Sequence, residues 1–236
     1  MTHHHRRGAN GAGGTMTLDR TTPIEAVAPA MVTATIPVGS ESDAVVANPR
    51  TGCVYVANQL DDTVSVISGQ TNTVTATIPV GNPQGMAVNS LTGDVYVTNF
   101  NHGTLSVICG LTNTVRATIP VGSLPLSVAV NSLTGDVYVT NFSGGTVSVI
   151  SGRTSTVTAT IPVGTSPAGI AVNPPTGAVY VTNVKNGTVS VISGQTNTIT
   201  ATIPVGNGPV GVAVNPMTGA VYTANVGDDT VSVIFG

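Results

Sequence analysis

The sequence predicts an all-β protein, a single β-propeller of five four-stranded blades, and three observations carry that expectation. The tetrapeptide Ile-Pro-Val-Gly begins at Ile36, Ile78, Ile119, Ile161 and Ile203, at spacings of 42, 41, 42 and 42 residues. All five tyrosines, Tyr55, Tyr96, Tyr138, Tyr180 and Tyr222, occupy one position of that repeat. The segment Thr-(Val/Leu)-Ser-Val-Ile starts at Thr63, Thr104, Thr146, Thr188 and Thr230. A unit of about 40–50 residues that divides into four short strands is the sequence mark of a propeller blade.

Each unit reads in the same order. Strand A is exemplified by residues 210–214, Val-Gly-Val-Ala-Val. An Asn-Pro-x-Thr-Gly turn such as 173–177 follows and places Pro and Gly where a hairpin needs them. Strand B is like 178–182 and strand C like 188–192. The turn 193–197 leads into strand D, 198–203. The repeats begin with a lone D strand at 32–36 and end with A, B and C of a fifth unit. Pairing that N-terminal D strand with the last C strand completes every blade and closes the ring. Closure also removes two sheet edges that would otherwise invite aggregation. A partial ring completed by oligomerisation is the alternative to a closed monomer.

Composition fits this architecture. Hydrophobic residues make up 41% of the 236 residues, aromatics only 3%, and Trp is absent, so the core is aliphatic. Charged residues make up 7%, far below the usual share of roughly a quarter. Residues 1–30 carry Arg6, Arg7 and Arg20 against Asp19 and Glu25, while 31–236 carry four basic residues against eight acids. No basic stripe exists for nucleic-acid phosphates, so no nucleic-acid partner is expected. No apolar run is long enough to span a bilayer, and no signal-peptide core is visible near the N-terminus. Residues 1–30, rich in Gly, Ala, Thr and Arg and including His3, His4 and His5, read as a disordered leader before a propeller over 31–236.

The segments 95–99, 137–141 and 179–183, each Val-Tyr-Val-Thr-Asn, resemble the YVTN β-propeller repeat of surface-layer-like proteins. The first unit departs with Val56-Ala57-Asn58 and the last with Thr223-Ala224-Asn225. The resemblance implies a propeller fold and a place among cell-surface proteins, binding domains and lactonase-like relatives. It points to export or the cell surface. Many relatives have more blades, so a ring of five is a departure from the family.

Catalytic chemistry is scarce in the repeats. They hold one histidine, His102, and no G-x-S-x-G nucleophile elbow. Cys53 and Cys109 fall in different blades, which favours two free thiols over a disulfide. The tyrosines read as packing between blades, and the asparagines that follow them, from Asn58 to Asn225, as turn caps. The units differ most in their D–A and B–C loops, which share one face of a propeller. Those loops carry Glu41, Asp43, Asp61, Asp62, His102, Lys185, Asp228 and Asp229, the candidate ligand-binding residues. Six of the eight acids of the repeats fall in blades one and five, which ring closure makes neighbours. One reading of Asp61, Asp62, Asp228 and Asp229 is a solvated surface. The other is a metal site, with calcium as the candidate because it takes several oxygen ligands; no other cofactor is expected. The expected function is a non-enzymatic binding or scaffold propeller that holds a protein or small-molecule partner on its loop face and axial channel. The alternative is a hydrolase or lyase of lactonase type at the channel mouth.

Overall fold

Alternating Val, Ile and Thr side chains suit a pleated sheet packed on both faces, and Gly, Asn and Pro break the chain at regular intervals. The computed structural model describes residues 30–235. The first sheet comprises β1 (Ser42–Ala47), β2 (Cys53–Asn58), β3 (Thr63–Ser68) and β4 (Thr73–Pro79). The second comprises β5 (Pro83–Val88), β6 (Val95–Asn99), β7 (Thr104–Cys109) and β8 (Thr114–Pro120). The third is β9 (Pro125–Val130), β10 (Asp136–Asn141), β11 (Thr146–Ser151) and β12 (Thr156–Pro162). The fourth is β13 (Pro167–Val172), β14 (Ala178–Asn183), β15 (Thr188–Ser193) and β16 (Thr198–Pro204). The last is β17 (Pro209–Val214), β18 (Val221–Asn225) and β19 (Thr230–Ile234). Every pairing is antiparallel between strands consecutive in sequence.

The first strands of successive sheets lie side by side, β1 on β5, β5 on β9, β9 on β13 and β13 on β17. That is the arrangement of propeller blades around an axis. Register decides what fills the space between blades. Tyr138 stands opposite Val149 and Thr140 opposite Val147, while Val137 and Val139 point to the other face. The tyrosine face of each blade therefore meets the valine face of the next. Tyr55, Val64 and Val66 of the first sheet pack on Val95, Val97 and Ile108 of the second. The same layer recurs with Tyr96 against the third sheet, Tyr138 against the fourth and Tyr180 against the fifth.

The ends differ from the expectation of a closed ring. The last sheet stops at three strands, and residues 30–39 contain no strand. The fourth strand expected from 32–36 is thus not among the described elements. The physical counterpart is an unburied face at each end: Tyr222 is 40% exposed in the last sheet and Val45 66% exposed in the first. The leader assigned to residues 1–30, with its three histidines, lies outside the described residues except for Ala30.

Candidate functional site

One face of the blades is built from two loop sets that hold each other. The backbone N–H of Gln59, Phe100, Phe142, Val184 and Val226 in the B–C loops donates to the carbonyl of Glu41, Asn82, Leu124, Ser166 and Gly208 in the D–A loops, at 2.9–3.1 Å. Beneath them sits a buried asparagine. The Asn141 side-chain amide donates to Thr146 Oγ1 at 2.9 Å and Ser148 Oγ at 3.0 Å, and its oxygen accepts the Gly122 N–H at 3.0 Å. Asn58, Asn99 and Asn183 make the same three bonds. Asn225 keeps the two donations, but its Oδ1 has no partner among the described residues, and the Gly206 N–H turns to Ser232 Oγ instead. These residues are more than turn caps. Each one ties strand B to strand C, and all but Asn225 also hold the Gly of Ile-Pro-Val-Gly, where an added Cβ at Gly122 would collide with Asn141. A signal for this was present in sequence, since Asn, Thr five residues on and Ser seven residues on recur together in all five units.

The third residue after that asparagine is Asp61, His102, Gly144, Asn186 or Asp228. The Ser40 N–H donates to Asp61 Oδ2 at 2.8 Å, the Thr165 N–H to Asn186 Oδ1, and the Asn207 N–H to Asp228 Oδ2. Asn207 Nδ2 also donates to Asp228 Oδ1 at 2.8 Å. These two donations, the backbone one first, hold the Asp228 carboxyl below the usual carboxylate range. The fourth position is left-handed throughout: Asp62 and Asp229 have φ of 54°, and Gly103, Gly145 and Gly187 have φ of 61–63°. Asp and Asn tolerate this geometry better than other side chains, which accounts for the pairs of aspartates. Asp62 Oδ1 also accepts the Asn82 N–H at 2.6 Å.

Of the candidate site residues, the structure therefore places three aspartates on backbone amides of the adjoining loops. Among the described residues no group of three or more His, Cys, Asp or Glu side chains is placed to hold a metal ion. Glu41, at φ 48°, and Asp43 in β1 are exposed at the entry to the first sheet. His102 is exposed, ends a 3-10 turn (Phe100–His102), and lines a groove of about 380 Å³ with Gly81, Asn99, Thr104 and Ser106. The same groove recurs beside Asp61 and beside Asn186, so its shape is a feature of the repeat. Lys185 contributes to a different hollow of about 390 Å³ between the third and fourth blades, with Phe142, Ser143, Gly144, Thr165 and Ser166. The sequence reading missed this hollow because Phe142 belongs to the B–C loop one repeat before Lys185.

The axis holds a cavity of about 440 Å³, lined by β5, β9, β13 and β17 through residues such as Met86, Val128, Ile170 and Val212. Hydroxyls of the Val-Tyr-Val-Thr-Asn segments close its wall. Thr140 Oγ1 accepts the Ser127 N–H at 3.0 Å and donates to the Ala168 carbonyl of the next blade at 2.9 Å, and Thr98 and Thr182 bridge in the same way. Four tyrosines are buried, and burial pushes the Tyr138 hydroxyl up to about 12. Cys53 and Cys109 are free and half-buried.

Comparisons with known proteins agree on the fold. The NHL repeat family profile matches residues 165–192, from the loop before β13 through most of β15. A 35-residue stretch is 63% identical to the PE-PGRS family protein PE_PGRS18 of Mycobacterium tuberculosis, covering 15% of this chain and 8% of that protein. The chain thus spans under a tenth of that relative's length. Among solved structures, a functionally unknown protein from Desulfotomaculum acetoxidans superposes with a TM-score of 0.72 at 17% identity, over 84% of this chain and 70% of that one. The Cps50 β-propeller domain of Myceliophteria thermophila superposes with a TM-score of 0.72 at 11% identity, over 84% of this chain and 65% of that domain. The chain has a repeat β-propeller fold.

Proposed function

We propose that the protein is a non-enzymatic binding or scaffold domain that holds its partner on the D–A and B–C loop face and at the mouth of the axial cavity. The observation that carries this reading is the contrast within one face. A constant lattice of Asn, Thr, Ser and Gly hydrogen bonds supports loops whose outward side chains differ from blade to blade. The hollow between Phe142 and Lys185 joins an aromatic edge to a cation and suits an anionic or aromatic group of a protein or small molecule. Glu41, Asp43, Asp61, Asp62, His102, Asp228 and Asp229 complete the face in this reading. Its finer architecture is a YVTN-type propeller over 31–236 behind a leader over 1–30. The five sheets are its blades. No helix among the described residues is long and apolar enough to cross a membrane.

The alternative is a hydrolase or lyase at the channel mouth, and His102 is the side chain on which it depends. A panel of lactones and esters tested with the wild type and with His102→Ala separates the two. The binding reading expects no turnover above buffer with either protein. Robust turnover that disappears in His102→Ala overturns it.

A further inference from the structure

Four times along the chain a tyrosine face is buried against the valine face of the following blade. Tyr180 and Val189, for example, pack on Val221 and Ile234. Among the described residues no blade follows the fifth tyrosine face. It presents Tyr222 at 40%, Val231 at 61% and Val233 at 48% exposure, with Ala213 and Ala224 exposed beside them. Register places these five together, since Tyr222 stands opposite both Ala213 and Val233, and Ala224 opposite Val231. The first blade has the opposite lack. Its valine face carries Val45 at 66% exposure, Ala47 exposed, and Val54 and Val56 half-buried.

We propose that the tyrosine face of the last blade docks on the valine face of the first blade of a second copy of this chain, head to tail. Two observations favour this occupant. Stacked repeat arrays with free ends finish in polar outer faces, whereas both ends here carry the aliphatic residues of an internal interface. The two faces are already known to fit, because the same pairing of Tyr and two Val on Val, Val and Ile fills the layers inside the chain. A second copy supplies the missing half with no new chemistry. Contiguous apolar patches of this kind are uncommon on monomers and mark interaction sites. The contact is heterologous, so each added copy exposes a fresh face until the ring closes or the array stops.

The proposal is independent of the loop face, and its test leaves every B–C and D–A loop intact. The full chain is followed by sedimentation over a concentration series. The wild type is expected at two or more copies, with mass rising with concentration. A tail variant, Tyr222→Lys with Val233→Lys, and a head variant, Val45→Lys with Ala47→Lys, are each expected as one copy, with association weakened at least about 100-fold because a lysine must be desolvated on docking. An equimolar mixture of the two is expected to give two-copy complexes and nothing larger, because each variant retains one competent face. Circular dichroism checks that both variants fold, and Ala224→Lys is a milder tail variant should the double change disturb β18. A wild type that stays at one copy, variants that assemble like the wild type, or a mixture that fails to associate would each overturn the proposal.

Discussion

Tyr138 and Tyr222 occupy the same position of the same repeat, in nearly the same local sequence, and yet one is fully buried and the other 40% exposed. Their strands pair alike, Tyr138 with Val149 and Tyr222 with Val233. What differs is the neighbour. A blade cannot bury its own tyrosine face; the next blade does it, as expected of an array whose stability is the sum of units and their interfaces. Burial in this fold is thus a property of position in the array, and a single repeat read alone does not reveal it.

The largest expected effect breaks this comparison directly. Tyr138→Ala is expected to cost about 3–5 kcal/mol, the range for removing a large buried aromatic. In dilute solution Tyr222→Ala is expected to cost under about 1 kcal/mol, the level of an ordinary surface change. Chemical denaturation of the two variants measures both. Equal losses would mean that the last blade is covered in the free chain.

A smaller effect sharpens the same contrast through pH. Burial, and then the nearby Asp136 carboxylate, hold the Tyr138 hydroxyl at about 12, against about 10 in an unfolded chain. Burial also raises Tyr55 and Tyr96. A folded-state value above the unfolded one gives a contribution that is complete below about pH 10 and is lost as pH rises through about 12. For Tyr138 the loss is about 2–3 kcal/mol across that window. Tyr138→Phe keeps the ring and cannot ionise. Its melting temperature is expected to fall less steeply than that of the wild type on the alkaline side.

The repeat, the four strands of a unit, the turns and the packing role of the tyrosines were all legible in the sequence. Period and alternation encode them, and both are local properties. The state of the ends was not legible. Residues 32–36 carry the residues of a D strand, but whether a strand forms depends on the edge it meets. The asparagine lattice was half legible: the position was visible, and its function was not. A sequence places Asn141, Gly122 and Ser148 at fixed offsets but does not tell which side chain turns inward. In the acidic loops the sequence shows the carboxylates of Asp61, Asp62 and Asp228 but not the amides of Ser40, Asn82 and Asn207 that donate to them.

The smallest expected effect concerns those carboxylates, and it compares the fourth blade with the first and fifth. Asn186 accepts the Thr165 N–H from the position where Asp61 and Asp228 accept the Ser40 and Asn207 amides. An uncharged amide oxygen therefore already fills this role within the chain. Asp61→Asn with Asp228→Asn is expected to leave the melting temperature at neutral pH nearly unchanged, because each side chain keeps one oxygen for the backbone amide and only the exposed bond from Asn207 Nδ2 is lost. Acid should reveal the difference. The hydrogen bonds that lower Asp228 give a contribution present above the unfolded carboxylate value and lost as pH falls through the folded one. The wild type should therefore lose stability on acidification by a step that the double variant lacks. Calcium discriminates between the two uses of the acids. Four aspartates gathered around an ion would make millimolar calcium raise the wild-type melting temperature, by an amount growing with the logarithm of its concentration, and the double variant would lose that response. Aspartates that serve only as acceptors for loop amides, or as a solvated surface, would give no calcium shift in either protein. A shift confined to the wild type would mean that the first and last blades come together in solution and that the carboxylates leave their amides to share the metal.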